Sequence, residues 1–144
     1  MSRHRRALLS IAALLLTTAC KDESERLTVL VDDYAQADSD VWLVLCLCPV
    51  EAGYMTSDDC EAGYDAISGS EQQCMVDVFA GKEGIGEDYF ECVLPIMSDY
   101  EDCLRAYASC GEGWADTCLD QREAAVTACP LPSDEQTAEL LACL

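Results

Sequence analysis

The sequence predicts an all-α fold, a small disulfide-stapled helical bundle containing an antiparallel helical hairpin. Three observations carry that prediction. Apolar residues recur at threes and fours along most of the chain, and no alternating stretch of useful length suggests a strand. Ser/Thr/Asp residues followed three places later by Glu or Gln, the pattern of a helix-capping box, precede several of these segments. Finally, the cysteines are spaced at distances that return to one face of a helix.

The first helical segment carries Leu27, Leu30, Val31, Tyr34, Val41, Trp42 and Leu45 with acidic residues between them. Asp22 with Glu25 suits a capping box at its start, and Pro49 marks its end. Trp42 lies on the apolar side and is expected in the core. Residues 49–70 read as loop, with a short internal echo: Glu51-Ala-Gly-Tyr54 returns as Glu61-Ala-Gly-Tyr64. A ten-residue period is too short for the common repeat folds, so the echo is either coincidence or a small duplicated turn. Ser70 with Gln73 then opens a helix whose apolar side is Met75, Val76, Val78 and Phe79, with Gly81 as its stop.

Gly86 to Gly111 is one kinked helix or two short ones, because Pro95 removes a backbone donor and crowds the preceding turn. Ser98 with Glu101 offers a restart. Beyond Gly111–Gly113, residues Trp114 to Cys129 form another helix ended by Pro130 and Pro132, and Ser133 with Gln136 caps a last one.

Cysteine spacing joins two of these helices. Cys92 and Cys103 are eleven residues apart, Cys103 and Cys110 seven, Cys118 and Cys129 eleven, so each step comes back to nearly the same face. Across an antiparallel turn at Gly111–Gly113, facing residues have numbers with a constant total. Cys103 with Cys118 and Cys92 with Cys129 share the total 221, which predicts two disulfides riveting a hairpin. The layout resembles the twin-cysteine helical hairpin family in geometry; that family has nine residues between its cysteines, whereas this chain has ten. Cys46, Cys48, Cys60, Cys74, Cys110 and Cys143 complete an even set of ten, with fifteen possible pairings among these six. Cys46 and Cys48 point about 200° apart on a helix, so different partners are expected for them.

The N-terminus carries an address. Arg3, His4, Arg5 and Arg6 are followed by an apolar segment from Ala7 to Ala19. Thirteen residues are too few to cross a bilayer core, which takes about 20. A basic start, a short apolar stretch and small residues before a break describe a secretory signal peptide. Thr17-Thr18-Ala19-Cys20 resembles the lipobox of bacterial lipoprotein precursors, with Leu16 one place further back than the usual leucine. The resemblance implies cleavage after residue 19, lipidation of Cys20 with diacylglyceryl and palmitate-type acyl chains, and anchoring to the bacterial cell envelope. Lys21 in place of Asp implies the outer membrane by the enterobacterial sorting rule. Arg5-Arg6 resembles part of a twin-arginine signal, but the strongly apolar segment favours the general secretory route. The expected organisation is a signal peptide at 1–19, a lipidated N-terminus and polar spacer at 20–25, and a cysteine-rich acidic domain at 26–144.

After Ala19 only Lys21, Arg26, Lys82, Arg105 and Arg122 stand against 28 acidic residues, a formal charge of −23. Such a surface repels nucleic acid and favours cations or a basic envelope protein as partner. An oxidising compartment and ten cysteines lead to an expectation of five disulfides. No Cys-x-x-Cys pair occurs and the single histidine, His4, lies in the signal, so no zinc site, other metal site or cofactor is expected. The remaining chain has no histidine for a triad and no phosphate loop, since Lys82 in Gly81–Gly86 is misplaced and no Ser/Thr follows it. No catalytic residue is assigned and no enzymatic activity is expected. Two alternatives to a plain binding or structural role remain: calcium-type cation binding by Asp32-Asp33, Asp38/Asp40 or Asp58-Asp59, none of which has EF-hand spacing, and thiol–disulfide exchange through Cys46-Leu47-Cys48. Trp114, beside two glycines, is a candidate interface residue.

Overall fold

The computed structural model describes the backbone of residues 4–144 and the side chains of residues 23–144. Six helices are present: α1 (His4–Leu45), α2 (Ser57–Ala62), α3 (Gly69–Val78), α4 (Glu83–Ala106), α5 (Asp116–Val126) and α6 (Asp134–Cys143). Among the described residues there is no strand, and none of the helices is long and apolar enough to cross a membrane. The fold is an all-α, disulfide-stapled bundle.

Helix α1 passes through residues 22–25 without a break, so Asp22 and Glu25 cap no helix start there and the expected polar spacer is helical. From Leu27 onward, α1 lies alongside α4, and the two run parallel. At one end Arg26 Nη1 sits 3.2 Å from Glu87 and Nη2 2.9 Å from Glu91; at the other, Cys48 just past α1 is bonded to Cys110 just past α4. Parallel neighbours need a long return, and residues 46–82 supply it, carrying α2 and α3.

Two apolar clusters fill the bundle, one at each end of the α1–α4 pair. Leu27 and Val31 of α1 meet Phe90 of α4, Met75 and Val76 of α3, Phe79, and Cys143 of α6. Val41 and Val44 meet Val93, Met97, Tyr100 and Leu104 of α4, with Cys118 and Cys129 closing the far side. Tyr34 and Tyr89 touch both clusters and join them. The start of α3 lies beside Gln36 and Phe79 beside Leu27, so α3 runs antiparallel to α1. Gly86 makes a tight approach in this core: a Cβ there would stand 2.8 Å from Phe79 Cγ and 2.9 Å from Leu27 Cδ1.

Several boundaries differ from the sequence expectation, each for a local reason. Helix α3 is capped by Ser68 and Glu71 rather than Ser70 and Gln73; Ser68 is extended, its hydroxyl accepts the Glu71 N–H, and the Glu71 carboxylate accepts the Ser68 N–H. A charged acceptor makes the stronger bond of the two possible boxes. The 49–70 segment contains α2, started by Thr56 accepting the Asp59 N–H. Helix α4 starts earlier than Gly86 and runs through Pro95 as one helix, so Ser98 and Glu101 restart nothing. Pro95 faces solvent, where water can take up the freed carbonyl of Glu91, and bridges at Cys92 and Cys103 hold the turns on either side of it. Helix α5 is shorter than Trp114–Cys129 because Gly113, with φ of +71°, puts Trp114 in a turn. The Ser133–Gln136 box forms at the start of α6.

Five disulfides join Cys46 to Cys60, Cys48 to Cys110, Cys74 to Cys143, Cys92 to Cys129 and Cys103 to Cys118. The last two are the constant-total pairs. Each spans 5.8 Å between Cα atoms, the equal spacing of an antiparallel α4–α5 hairpin. Of the residues in α5, only Cys118 is buried. Hydrophobic packing therefore contributes little to holding this helix, and the two bridges do most of it.

Replacing Cys92, Cys129, Cys103 and Cys118 together by serine is expected to free α5 while α1 and α4 stay paired. Hydrogen exchange should show the amides of 116–126 unprotected and those of 90–104 still slow; each bridge removed should lower stability by about 2–4 kcal/mol in denaturant titration. Gly86→Ala is expected to cost about 1–3 kcal/mol by overpacking against Phe79 and Leu27, read as a lower denaturation midpoint. An unchanged midpoint would show that the contact yields freely.

Candidate functional site

The ten cysteines from Cys46 to Cys143 all lie in disulfides, and Cys46, Cys48 and Cys60 are buried. Cys46 and Cys48 have different partners, as their opposed directions require. Cys46 holds α2 against the end of α1, while Cys48 ties the end of α1 to Cys110. Cys110 itself is exposed and adopts a left-handed backbone, φ +51°, which costs a non-glycine residue roughly 1–2 kcal/mol. The side chains of Cys20 and of the proposed signal peptide lie outside the described residues. Trp114 is half-buried and packs against the α1–α4–α5 cluster.

Trp42 does something the sequence left unseen. It lies outside both buried clusters, half-buried under the 49–66 segment. Its indole N–H donates to the Cys60 carbonyl at 3.0 Å. Tyr64 stacks on the ring at 5.6 Å between centroids, and Tyr54 meets it edge-on at 6.0 Å. These are the tyrosines of the two Glu-Ala-Gly-Tyr segments, so the echo delivers one ring to each side of a single tryptophan. Tyr64 also donates to Asp38 at 2.9 Å. Burial, then that hydrogen bond and the carboxylate charge, push the Tyr64 hydroxyl well above the usual tyrosine range. The rings lie against one another, and this cluster clamps the loop.

A second group surrounds Arg122. Its guanidinium lies 5.4 Å from the Tyr100 ring centre, a cation–π contact, and its buried Nε has no hydrogen-bond partner. Burial raises the hydroxyls of Tyr89 and Tyr100, while the charge of Arg122 partly offsets the shift. Burial also raises Tyr34, with the Asp38 carboxylate adding to it. Beside Tyr34 and Tyr89 opens a small apolar groove of about 140 Å³, bounded by Phe90, Leu140, Leu141 and Leu144.

The third place is a cleft at the Leu27 end of the α1–α4 pair, away from the Trp42 cluster. Glu23 of α1 and Lys82, Glu83, Ile85, Glu87 and Asp88 around the start of α4 line about 420 Å³. Glu83 accepts the Gly81 N–H at 2.9 Å, which holds its carboxyl below the usual range. Glu87 is 7% exposed; one oxygen meets Arg26 and the other, Oε1, is buried without a partner. Sequence reasoning missed this residue because an acidic residue among 28 carries no mark of burial.

Of the acidic pairs singled out from the sequence, three members are engaged locally: Asp38 accepts from the Tyr64 hydroxyl, Asp40 from the Gln36 amide, and Asp59 from the Thr56 hydroxyl while its N–H donates back to that oxygen. Asp32, Asp33 and Asp58 are exposed. Among the described residues no three carboxylates, thiolates or imidazoles converge as metal ligands would. Comparison with known protein families, curated proteins and solved structures finds no match for this chain.

Four tyrosines, buried or half-buried, set an alkaline limit. An unfolded tyrosine ionises near pH 10, whereas Tyr34, Tyr64, Tyr89 and Tyr100 hold their protons to higher pH in the fold. The folded state then binds more protons than the unfolded one above about pH 10, so stability present below that pH falls as pH rises past it. Ultraviolet titration should show these four ionising later than free tyrosine, with the melting temperature dropping over the same range. Six tyrosines titrating together at the free value would refute the burial argument.

Proposed function

We propose that this chain is a membrane-anchored lipoprotein of the bacterial envelope, with a non-enzymatic binding or structural role. The observation that carries the reading is the cysteine count. Ten cysteines pair with one another inside the domain, which leaves none of them for the eleventh, Cys20. That cysteine sits at the end of a basic and then apolar leader, in the lipobox-like Thr17-Thr18-Ala19-Cys20. Five disulfides suit an oxidising compartment reached by export. Acyl chains at one end of a compact stapled domain supply an anchor, since each buried methylene contributes about 0.8 kcal/mol and two or three chains suffice for stable attachment.

A role in binding rather than catalysis is favoured by the chemistry the surface carries. The charged side chains are mostly carboxylates, and most of the described ones stand in solvent or in single local hydrogen bonds. A formal charge of −23 after residue 19 attracts cations and basic proteins at long range.

Intact mass of the protein taken from its native membrane tests the anchor. The expected species begins at Cys20, carries two or three acyl chains and gains ten hydrogens on reduction. Cys20→Ser should abolish the acyl mass and move the protein out of the membrane fraction. An unacylated chain that stays with the membrane would overturn the lipoprotein reading.

A further inference from the structure

Among the described residues, Cys110 is the only one other than glycine with a positive φ. Gly111 or Gly113 takes such a left-handed backbone without penalty, whereas the Cβ of a cysteine crowds the chain there. The bond to Cys48, a residue 1% exposed just past the end of α1, pins Cys110 in place. Little else holds the segment around it. Residues 105–113 are all exposed, and the backbone N–H groups of Tyr107, Ser109 and Trp114 reach only Cys103, Tyr107 and Gly111. The other bridges are placed differently. Cys46–Cys60 is buried at both ends, and Cys92–Cys129 and Cys103–Cys118 each join a half-buried residue to a buried one. Cys74, bonded to Cys143, is exposed as Cys110 is, but it lies inside α3 on ordinary helical backbone.

We propose that Cys48–Cys110 is an exchangeable disulfide, opened by a dithiol that attacks Cys110. One thiolate of the dithiol bonds to Cys110 Sγ, the Cys48–Cys110 bond breaks, and Cys48 leaves as a thiolate that takes up a proton. The second thiol of the dithiol gives up its proton and displaces Cys110, which leaves and is protonated in turn. Two electrons pass to the bridge, and the dithiol becomes a disulfide. Attack falls on Cys110 because Cys48 is buried out of reach. Opening releases residue 110 from its left-handed backbone, which favours reduction of this bridge over an unstrained one. The fold survives the step. Val44, Met97 and Leu104 keep α1 on α4, and the remaining bridges keep α4 on α5. Reduction therefore unties the 107–113 segment from the end of α1 and leaves an accessible thiol on it. The inference concerns this bridge alone and holds with or without the lipid anchor.

Graded dithiothreitol applied to the full chain without denaturant, followed by acid quench, alkylation and peptide mapping, tests the assignment. Cys48 and Cys110 should be labelled first, at a reductant concentration about tenfold below that needed for any other pair. Amides of 90–104 should still exchange slowly in this doubly labelled species. With glutathione, a monothiol, the mixed disulfide should form on Cys110. Cys74 and Cys143 provide the control for exposure without backbone strain. Their labelling first, or together with Cys48 and Cys110, would overturn the proposal, as would all five pairs opening in one step or glutathione on Cys48. A double variant, Cys48→Ser with Cys110→Ser, should lose the early step and leave the thresholds of the other four bridges within about twofold. A general fall in those thresholds would show that the bridge supports the whole fold and is no local device.

Discussion

The structure depends on covalent bonds placed where an apolar stripe would ordinarily be. Helix α5 offers one buried side chain, Cys118, to the rest of the molecule, and that side chain is itself half of a bridge. With Cys92–Cys129 at its far end, α5 is held to α4 at two points along its length. The same bridges stiffen α4 on both sides of Pro95. An acidic chain with five cations after residue 19 repels itself in the compact state. Staples oppose that repulsion by restricting the unfolded chain, and they work at any surface charge.

Within this frame α1 and α4 supply the hydrophobic part. Their parallel course puts Leu27, Val31 and Phe90 at one end and Val44, Met97 and Leu104 at the other, with Tyr34 and Tyr89 between. Gly86 lets α4 come down onto Phe79 and Leu27, and the next residue, Glu87, is carried inward with it. The buried carboxylate thus follows from the close contact beside it. Arg26, on the adjoining turn of α1, pairs with one of its oxygens.

Much of this was legible in the sequence. Helical periodicity and the absence of alternation marked the fold class, and the total shared by Cys103/Cys118 and Cys92/Cys129 marked the α4–α5 hairpin. Pairings over longer spans were not legible, because Cys48–Cys110 and Cys74–Cys143 depend on the parallel α1–α4 course and on where α3 and α6 meet. Pro95 looked like a break and Gly86 like the start of a helical segment; tertiary support carries the helix through the first, and α4 packs closely at the second. Trp42 was placed on an apolar face, yet its partners Tyr54 and Tyr64 come from a segment that reads only as loop. Glu87 could not be told from its neighbours, since burial of a single carboxylate is a property of the packed helices.

The order of the bridges along the chain has a consequence for how the molecule is made. A polypeptide delivered from its N-terminus presents Cys46, Cys48, Cys60 and Cys74 before any later cysteine, and only Cys46–Cys60 among them is a native pair. Cys48 must stay open, or be released again, until Cys110 arrives, and Cys74 must wait for Cys143, the penultimate residue. Oxidation in order of appearance would join Cys46 to Cys48 and Cys60 to Cys74, and neither bond survives in the finished fold. Correct pairing therefore comes by one of two routes, exchange of bonds made too early or oxidation delayed until the chain has collapsed around α1 and α4.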